Sequence, residues 1–307
     1  MSILVILVNI ILLLIMPFIM LGIIKKTKAF WAGRKGVCLL QPWYDFLRLL
    51  KKEPVYSETT SFIFKLAPVI TLGTAIFAGL FVPMVGGYAF IPIEFGFIVF
   101  AYILGLGKFF ALLSAMDTGS SFEGMGASRE ACFTTLVEPA FFIIIASIGV
   151  AAGLFSFQSF NMFWLTKDIL GICVVVLAVL ALLIMMLIEC SRVPVDDPNT
   201  HLELTMIHEV MILDNSGCDL AFLSWASGIK MVLISSLITT LLIPFDIPYI
   251  YSLGLYIIAL LLIAILVGTV ESAIARFRMT HIFEFVFSMT AIALVILALV
   301  TIRIYGG

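Results

Sequence analysis

Residues 169–209, ILGICVVVLAVLALLIMMLIECSRVPVDDPNTHLELTMIHE, decide what kind of molecule this is. The first twenty carry no charge, and that is the length a helix needs to cross a hydrocarbon core of about 30 Å. The character then changes within one residue. Glu189, Arg192, Asp196, Asp197, Glu203 and Glu209 follow, with His201 and His208 among them. Dense titratable chemistry at the end of a membrane helix calls for a function.

The rest of the chain is of the same kind. Its 307 residues are 63% hydrophobic and 12% charged, with a mean hydropathy of +1.23. Soluble domains run near 45–50% apolar and about 25% charged. Span-length apolar segments occupy residues 3–24, 62–84, 95–116, 134–155, 169–188, 220–243, 251–270 and 283–304. They predict an all-α polytopic membrane protein, one membrane domain over residues 1–307 with eight transmembrane helices. The expected cytoplasmic loops are 25–61, 117–133, 189–219 and 271–282. The first segment has no basic stretch before it and no small-residue cleavage site before Lys25, so it reads as a retained helix. The five cysteines are scattered without a CxxC pair, which speaks against a cluster, a metal site or a disulfide framework.

Charge sets the sidedness. Twelve of the 17 Lys and Arg fall in the loops after spans 1, 3, 5 and 7, against Lys167 and Arg303 on the other side. The positive-inside rule places those loops in the cytoplasm and both termini outside. Nearly all the acids are cytoplasmic too, with only Glu94, Asp168 and Asp246 outside. A face so rich in both signs suits a cytoplasmic protein partner; long loops that merely collect charge are the plainer reading. Within the first loop, QPWYDFLRLLKK (residues 41–52) reads as an amphipathic helix at the interface, the first of one or two such cytoplasmic helices. Phe46, Leu49 and Leu50 give it an apolar side, and Arg48, Lys51 and Lys52 meet the headgroups.

Ionisable side chains at membrane depth are costly and mark function by default. Lys108, Glu138 and Lys230 lie within spans, Glu189 closes span 5, and Glu271 ends span 7. Pairs such as Glu138–Lys108 or Glu189–Lys230 would neutralise them. Two readings stand: a proton relay, since burial favours exchange near neutral pH, or fixed ion pairs that specify helix packing.

In the loop itself, Pro194 ends the fifth helix, and Asn199 suits the N-cap of a new helix running to about Leu213. At about 100° per residue, Glu203 falls among Leu202, Met206, Val210 and Ile207. A carboxylate there is buried with a partner or lines a cavity. His201 and His208 stand about 10 Å apart along such a helix, too far to share one ion. No Walker loop, dinucleotide fingerprint or Ser-His-Asp arrangement appears, and GMGASRE (residues 124–130) follows no strand. The chain reads as a conduit or anchor, non-catalytic by itself, with the lipid bilayer and other proteins as partners and no nucleic acid.

Several segments together resemble one family. GRKGVCLLQPWYDFLRLLKK (33–52), MDTGSSFEGMGASREACFTTLVEP (116–139), the Glu-x-x-Arg-x-Pro of Glu189, Arg192 and Pro194 followed by Asp196, and ESAIARFR (271–278) carry the likeness. The chain resembles the membrane subunit shared by respiratory complex I, where it is subunit 1 or H, and by the group 4 membrane-bound nickel–iron hydrogenases, formate hydrogenlyase included. Segment 116–139 is similar to the hydrogenase version. Complex I types have an EAEAEL run where this chain has NTHLEL, with Asn199 and His201 in place of two glutamates. Val37 follows Gly36 where the family has Gly-Pro.

The resemblance implies a membrane-arm subunit of an energy-converting hydrogenase or hydrogenase-like complex in a prokaryotic plasma membrane. Its implied partners are cytoplasmic large and small subunits, an iron–sulfur protein and antiporter-like membrane subunits. Iron–sulfur clusters and a nickel–iron centre would belong to those partners, none being bound by this chain; a quinone site is the complex I alternative. The implied proton or sodium path uses Glu130, Glu138, Glu189, Asp196 and Glu203, to which the charges at membrane depth add Lys108, Lys230 and Glu271. Arg34, Arg129, Arg192, Asp197 and Arg276 would dock partners or hold the loops. The competing functions are a quinone-binding subunit and a purely structural anchor.

Overall fold

Long apolar segments in a chain without β-patterning close their backbone hydrogen bonds within helices, as lipid requires. In a computed structural model that describes residues 3–87, 89–152, 157, 169–197, 206–243 and 247–305, the described residues form helices joined by loops, with no strand among them. The helices are α1 (Ile3–Trp31), α2 (Gln41–Leu50), α3 (Phe62–Gly79), α4 (Gly96–Asp117), α5 (Ser121–Ala152), α6 (Ile169–Glu189), α7 (His208–Met211), α8 (Gly217–Leu242), α9 (Tyr249–Ala273) and α10 (Met279–Tyr305). All but α2 and α7 are long and apolar enough to cross a bilayer, which gives the eight spans.

Helix α8 is the centre. Its apolar window is 78% buried inside the protein, against 44% or less for the other seven. It packs on α1, α2, α3, α6 and α9. Without a hydrophobic drive between helices in lipid, close approach depends on small residues. Gly228 of α8 meets Pro17 of α1, where an added Cβ would lie 2.9 Å from the Pro17 Cβ. Gly268 of α9 meets Thr27 of α1 in the same way. Elsewhere Leu7, Ile11 and Ile15 of α1 and Ile258 and Leu262 of α9 stand exposed, forming apolar outer faces suited to lipid.

Helix α2 is the expected amphipathic helix. Phe46 is buried against Trp225 of α8 (ring centroids 5.1 Å apart) and Phe18 of α1 (5.2 Å), and Trp43 meets Phe18 edge-on at 4.9 Å. Leu50 is exposed, while Pro42 is buried with Phe46, and Leu49 packs beside them.

The boundaries differ where polar residues are helical. Span 2 was expected to reach residue 84, but α3 ends at Gly79. A short 3₁₀ turn, Val85–Gly87, follows; Gly86 adopts φ 67° there, an angle glycine takes without penalty. The Gly86 N–H donates to Ser252 Oγ of α9 at 2.9 Å, which pins the turn. Helix α5 begins at Ser121, inside the expected loop 117–133. Apolar length alone does not reveal that start, because the first turns are polar and pack on protein. The helix expected from Asn199 to about Leu213 is represented among the described residues only by α7; Asn199 itself, His201 and Glu203 lie outside them.

Candidate ion-pathway site

Four helices bring ionisable groups to one place. Lys108 lies nine residues before the end of α4, about 13 Å along its axis. Glu130 and Thr134 stand one turn apart on α5, Glu189 is the last residue of α6, and Lys230 is on α8. Lys108 Nζ donates to Glu189 Oε1 at 2.7 Å and to Thr134 Oγ1 at 2.9 Å, and lies 3.4 Å from Glu130 Oε1. Lys108, Glu130 and Lys230 are buried. Two amines and two carboxylates make the group formally neutral, which is what allows it at this depth.

The pairing differs from the expected Glu138–Lys108 and Glu189–Lys230. Lys108 joins Glu189 and Glu130, and among the described residues Lys230 forms no direct ion pair. Helical phase explains this: Glu130 and Thr134 share a face of α5, while Glu138 is turned about 80° from Glu130 and lies two turns farther on. Glu138 instead faces a groove between α4 and α5, half-buried with Tyr102, Gly105, Phe109 and Phe142.

Lys108, Glu130, Glu189 and Lys230 surround a cavity of ≈ 20 Å³, also lined by Thr71, Ser227 and His208. That is room for about one water molecule. Lys230 Nζ offers three donors to it. His208, which the sequence sets too far from His201 to share an ion, lines this cavity and is half-buried. The sequence signal was faint, a single imidazole after the buried Met206 and Ile207.

Asp196 explains where His208 stands. It is fully buried, and its Oδ2 accepts the backbone N–H of Ile207 and of His208, each at 3.0 Å. Its Oδ1 lies 2.9 Å from Arg276 Nη2 and accepts the Asp197 N–H at 3.0 Å. A carboxylate holding these two N–H groups starts a helix at His208, so α7 cannot be the interior of a longer one. Asp196 and Arg276 therefore hold the loop, as does the Phe277 N–H on Pro194 O at 3.0 Å.

A second buried cluster lies apart. Glu271 of α9, with 1% of its side chain exposed, pairs with Lys28 of α1 at 2.9 Å and with Arg192 at 3.4 Å. It is an interior tie between α1, α9 and the loop after α6, not an interfacial charge. Arg129 donates to Met206 O at 3.0 Å and so holds the chain two residues before α7. Arg34 is exposed after α1, and Asp197 is half-buried. Glu203 lies outside the described residues. The sequence reading also passed over Glu123, fully buried at the start of α5, where Thr118 Oγ1 donates to its Oε2 at 2.9 Å. Cys190 is buried beside Glu189, and burial pushes its thiol up to about 12, with Arg192 opposing. Among the described residues no three His, Cys, Asp and Glu side chains are grouped to hold a metal ion.

Comparison with known proteins gives a consistent picture. The profile of the NADH dehydrogenase family matches residues 3–302. The chain is 29% identical over 300 residues to hydrogenase-4 component C of Escherichia coli, covering 92% of each chain. It is 25% identical over 268 residues to formate hydrogenlyase subunit 4 of the same organism, covering 84% of this chain and 85% of that one. Against wheat (Triticum aestivum) NADH-ubiquinone oxidoreductase chain 1 it is 27% identical over 228 residues, 71% of this chain and 67% of that one. A chain of the membrane-bound sulfane sulfur reductase, an archaeal respiratory membrane complex, has the same fold, with a TM-score of 0.80 at 20% identity over 96% of this chain and 97% of that one.

Proposed function

The chain belongs to the NADH dehydrogenase family, of the complex I subunit 1 type, and from that premise we propose that it is the membrane-arm subunit through which an energy-converting hydrogenase-like complex couples redox chemistry to ion movement. The observation that carries this is the buried Lys108–Glu130–Glu189–Lys230 group around a water-sized cavity. A structural anchor needs no water-sized cavity among two lysines and two glutamates. Such groups are the usual elements of proton relays at membrane depth.

The site lies where α6 ends and the loop after it begins, the side on which the basic loops gather. A cytoplasmic module of large and small subunits with an iron–sulfur protein would dock there and carry the clusters and any nickel–iron centre. Charge changes at its base would act on Glu189 and Lys108 through the loop that Asp196 and Arg276 hold. Antiporter-like membrane subunits would take the ion path onward, with Glu138 in the α4–α5 groove as the outward-facing carboxylate. The resident membrane would be a prokaryotic plasma membrane.

The test uses the whole complex in proteoliposomes, with ions moved per electron as the readout. Glu189→Gln and Lys108→Met should bring that ratio close to zero in complexes that still assemble. An unchanged ratio in both would leave the chain an anchor.

A further inference from the structure

The reading above leaves open how a proton reaches the buried group. We infer that His208 is the proton-exchanging side chain between the cytoplasmic surface and the Lys108–Glu130–Glu189–Lys230 cavity, acting through one water held there.

Four observations carry this. His208 lines the cavity, yet is half-buried where Lys108, Glu130 and Lys230 are buried. Its backbone is fixed by Asp196, so the ring sits on a held element, not a loose loop. Among the described residues no side chain makes a hydrogen bond to the ring, and Glu189 lies within its electrostatic range. The cavity takes one water.

Chemistry then fixes the direction. A water beside Lys230 Nζ must present its lone pair to the ammonium, which accepts nothing. Its hydrogens point away, toward the carboxylates, and its second lone pair is free to accept from an imidazole N–H. An imidazole takes a proton at one ring nitrogen and releases one from the other, and it does so near neutral pH. One ring nitrogen gains a proton from bulk water. The other gives its proton to the cavity water, which passes one of its own to the Glu189 carboxylate. The bulk phase loses the proton that Glu189 gains, the water is restored, and the ring is left as its other tautomer, which a ring flip resets before the next proton. The charged groups that bear on the ring are Lys108 of α4, Glu130 and Arg129 of α5, Glu189 of α6, Lys230 of α8, the Asp196–Arg276 pair beneath its backbone, and Glu209 beside it.

This rests on the proposed coupling role, so the experiment separates the two. Proton movement driven by the whole complex in proteoliposomes is followed from pH 6 to 8 in wild type, His208→Gln, His208→Ala and Glu189→Gln. His208→Gln should slow it at least about tenfold and flatten its pH profile, given that positioned acid–base groups contribute about 10²-fold or more. Added imidazole should restore part of the rate to His208→Ala and none to Glu189→Gln. A His208→Gln rate within about twofold of wild type at every pH, with Glu189→Gln inactive, overturns the inference and keeps the coupling role. Full activity in Glu189→Gln as well removes the coupling role itself. Should the variants fail to assemble, carbethoxylation of the wild-type complex reads the same residue. Loss of proton movement should then track His208 modification, not that of His201 or His281, and hydroxylamine should reverse it. Loss that tracks either of the others overturns the inference.

Discussion

Lys108 is the residue on which the buried group depends. It donates to Glu189 at 2.7 Å and stands 3.4 Å from Glu130, so removing it leaves two buried carboxylates facing each other. Breaking a buried ion pair from one side costs about 3–5 kcal/mol, whereas removing all partners together is often close to neutral. Lys108→Met alone should therefore lower the thermal stability of the detergent-solubilised protein markedly. Adding Glu189→Gln to it, which leaves Glu130 and Lys230 as one carboxylate and one amine, should recover most of the loss while coupling stays absent. A single variant as stable as wild type would mean that the carboxylates are already compensated by water or by Lys230. The sequence identified Lys108 and Glu189 as intramembrane charges but not their pairing, because pairing depends on which face of α5 meets α4. Apolar length does not encode that, although the one-turn spacing of Glu130 and Thr134 does.

At the scale of elements, the close contact of α5 with α7 sets where His208 stands. Gly126 is the contact point: a Cβ there would lie 2.8 Å from Ile207 O and 2.5 Å from Val210 Cγ1. Gly126→Ala should thus push α7 outward. Overpacking of this kind costs about 1–3 kcal/mol, and here it also displaces the cavity wall that His208 forms. The expected result is a modest loss of melting temperature with a larger loss of ions moved per electron. Gly124→Ala, two residues away where an added Cβ meets nothing within 4 Å, should do neither. Equal effects of the two would show that helix propensity, not the α5–α7 contact, is at work. The spans, α2 and the charge asymmetry were legible because each is a local pattern of hydropathy. The cytoplasmic start of α5 and the brevity of α7 were not. Both depend on long-range partners, Val210 for Gly126 and the Ile207 and His208 N–H groups for Asp196, which lie 84, 11 and 12 residues away in sequence.

The whole molecule is polarised, and its orientation decides what the site can do. Basic residues gather at the ends of α1, α2, α6 and α9. Glu189, His208 and the Asp196–Arg276 pair lie toward that same end, so the cavity is reached from whichever compartment the basic face meets. The positive-inside rule predicts that this compartment is the cytoplasm. Single cysteines in a background freed of the five native ones test this with a membrane-impermeant maleimide. Lys35→Cys, exposed after α1, should label only in inside-out vesicles, and Ile250→Cys, 79% exposed at the start of α9, only in right-side-out ones. The reverse pattern would place His208 on the outer face, where no cytoplasmic redox module could act on it. It would then make the buried group an exit for ions and not an entry. Orientation and mechanism thus stand together: the side that attracts a charged soluble partner is the side from which the Lys108–Glu189 pair is within reach of a proton.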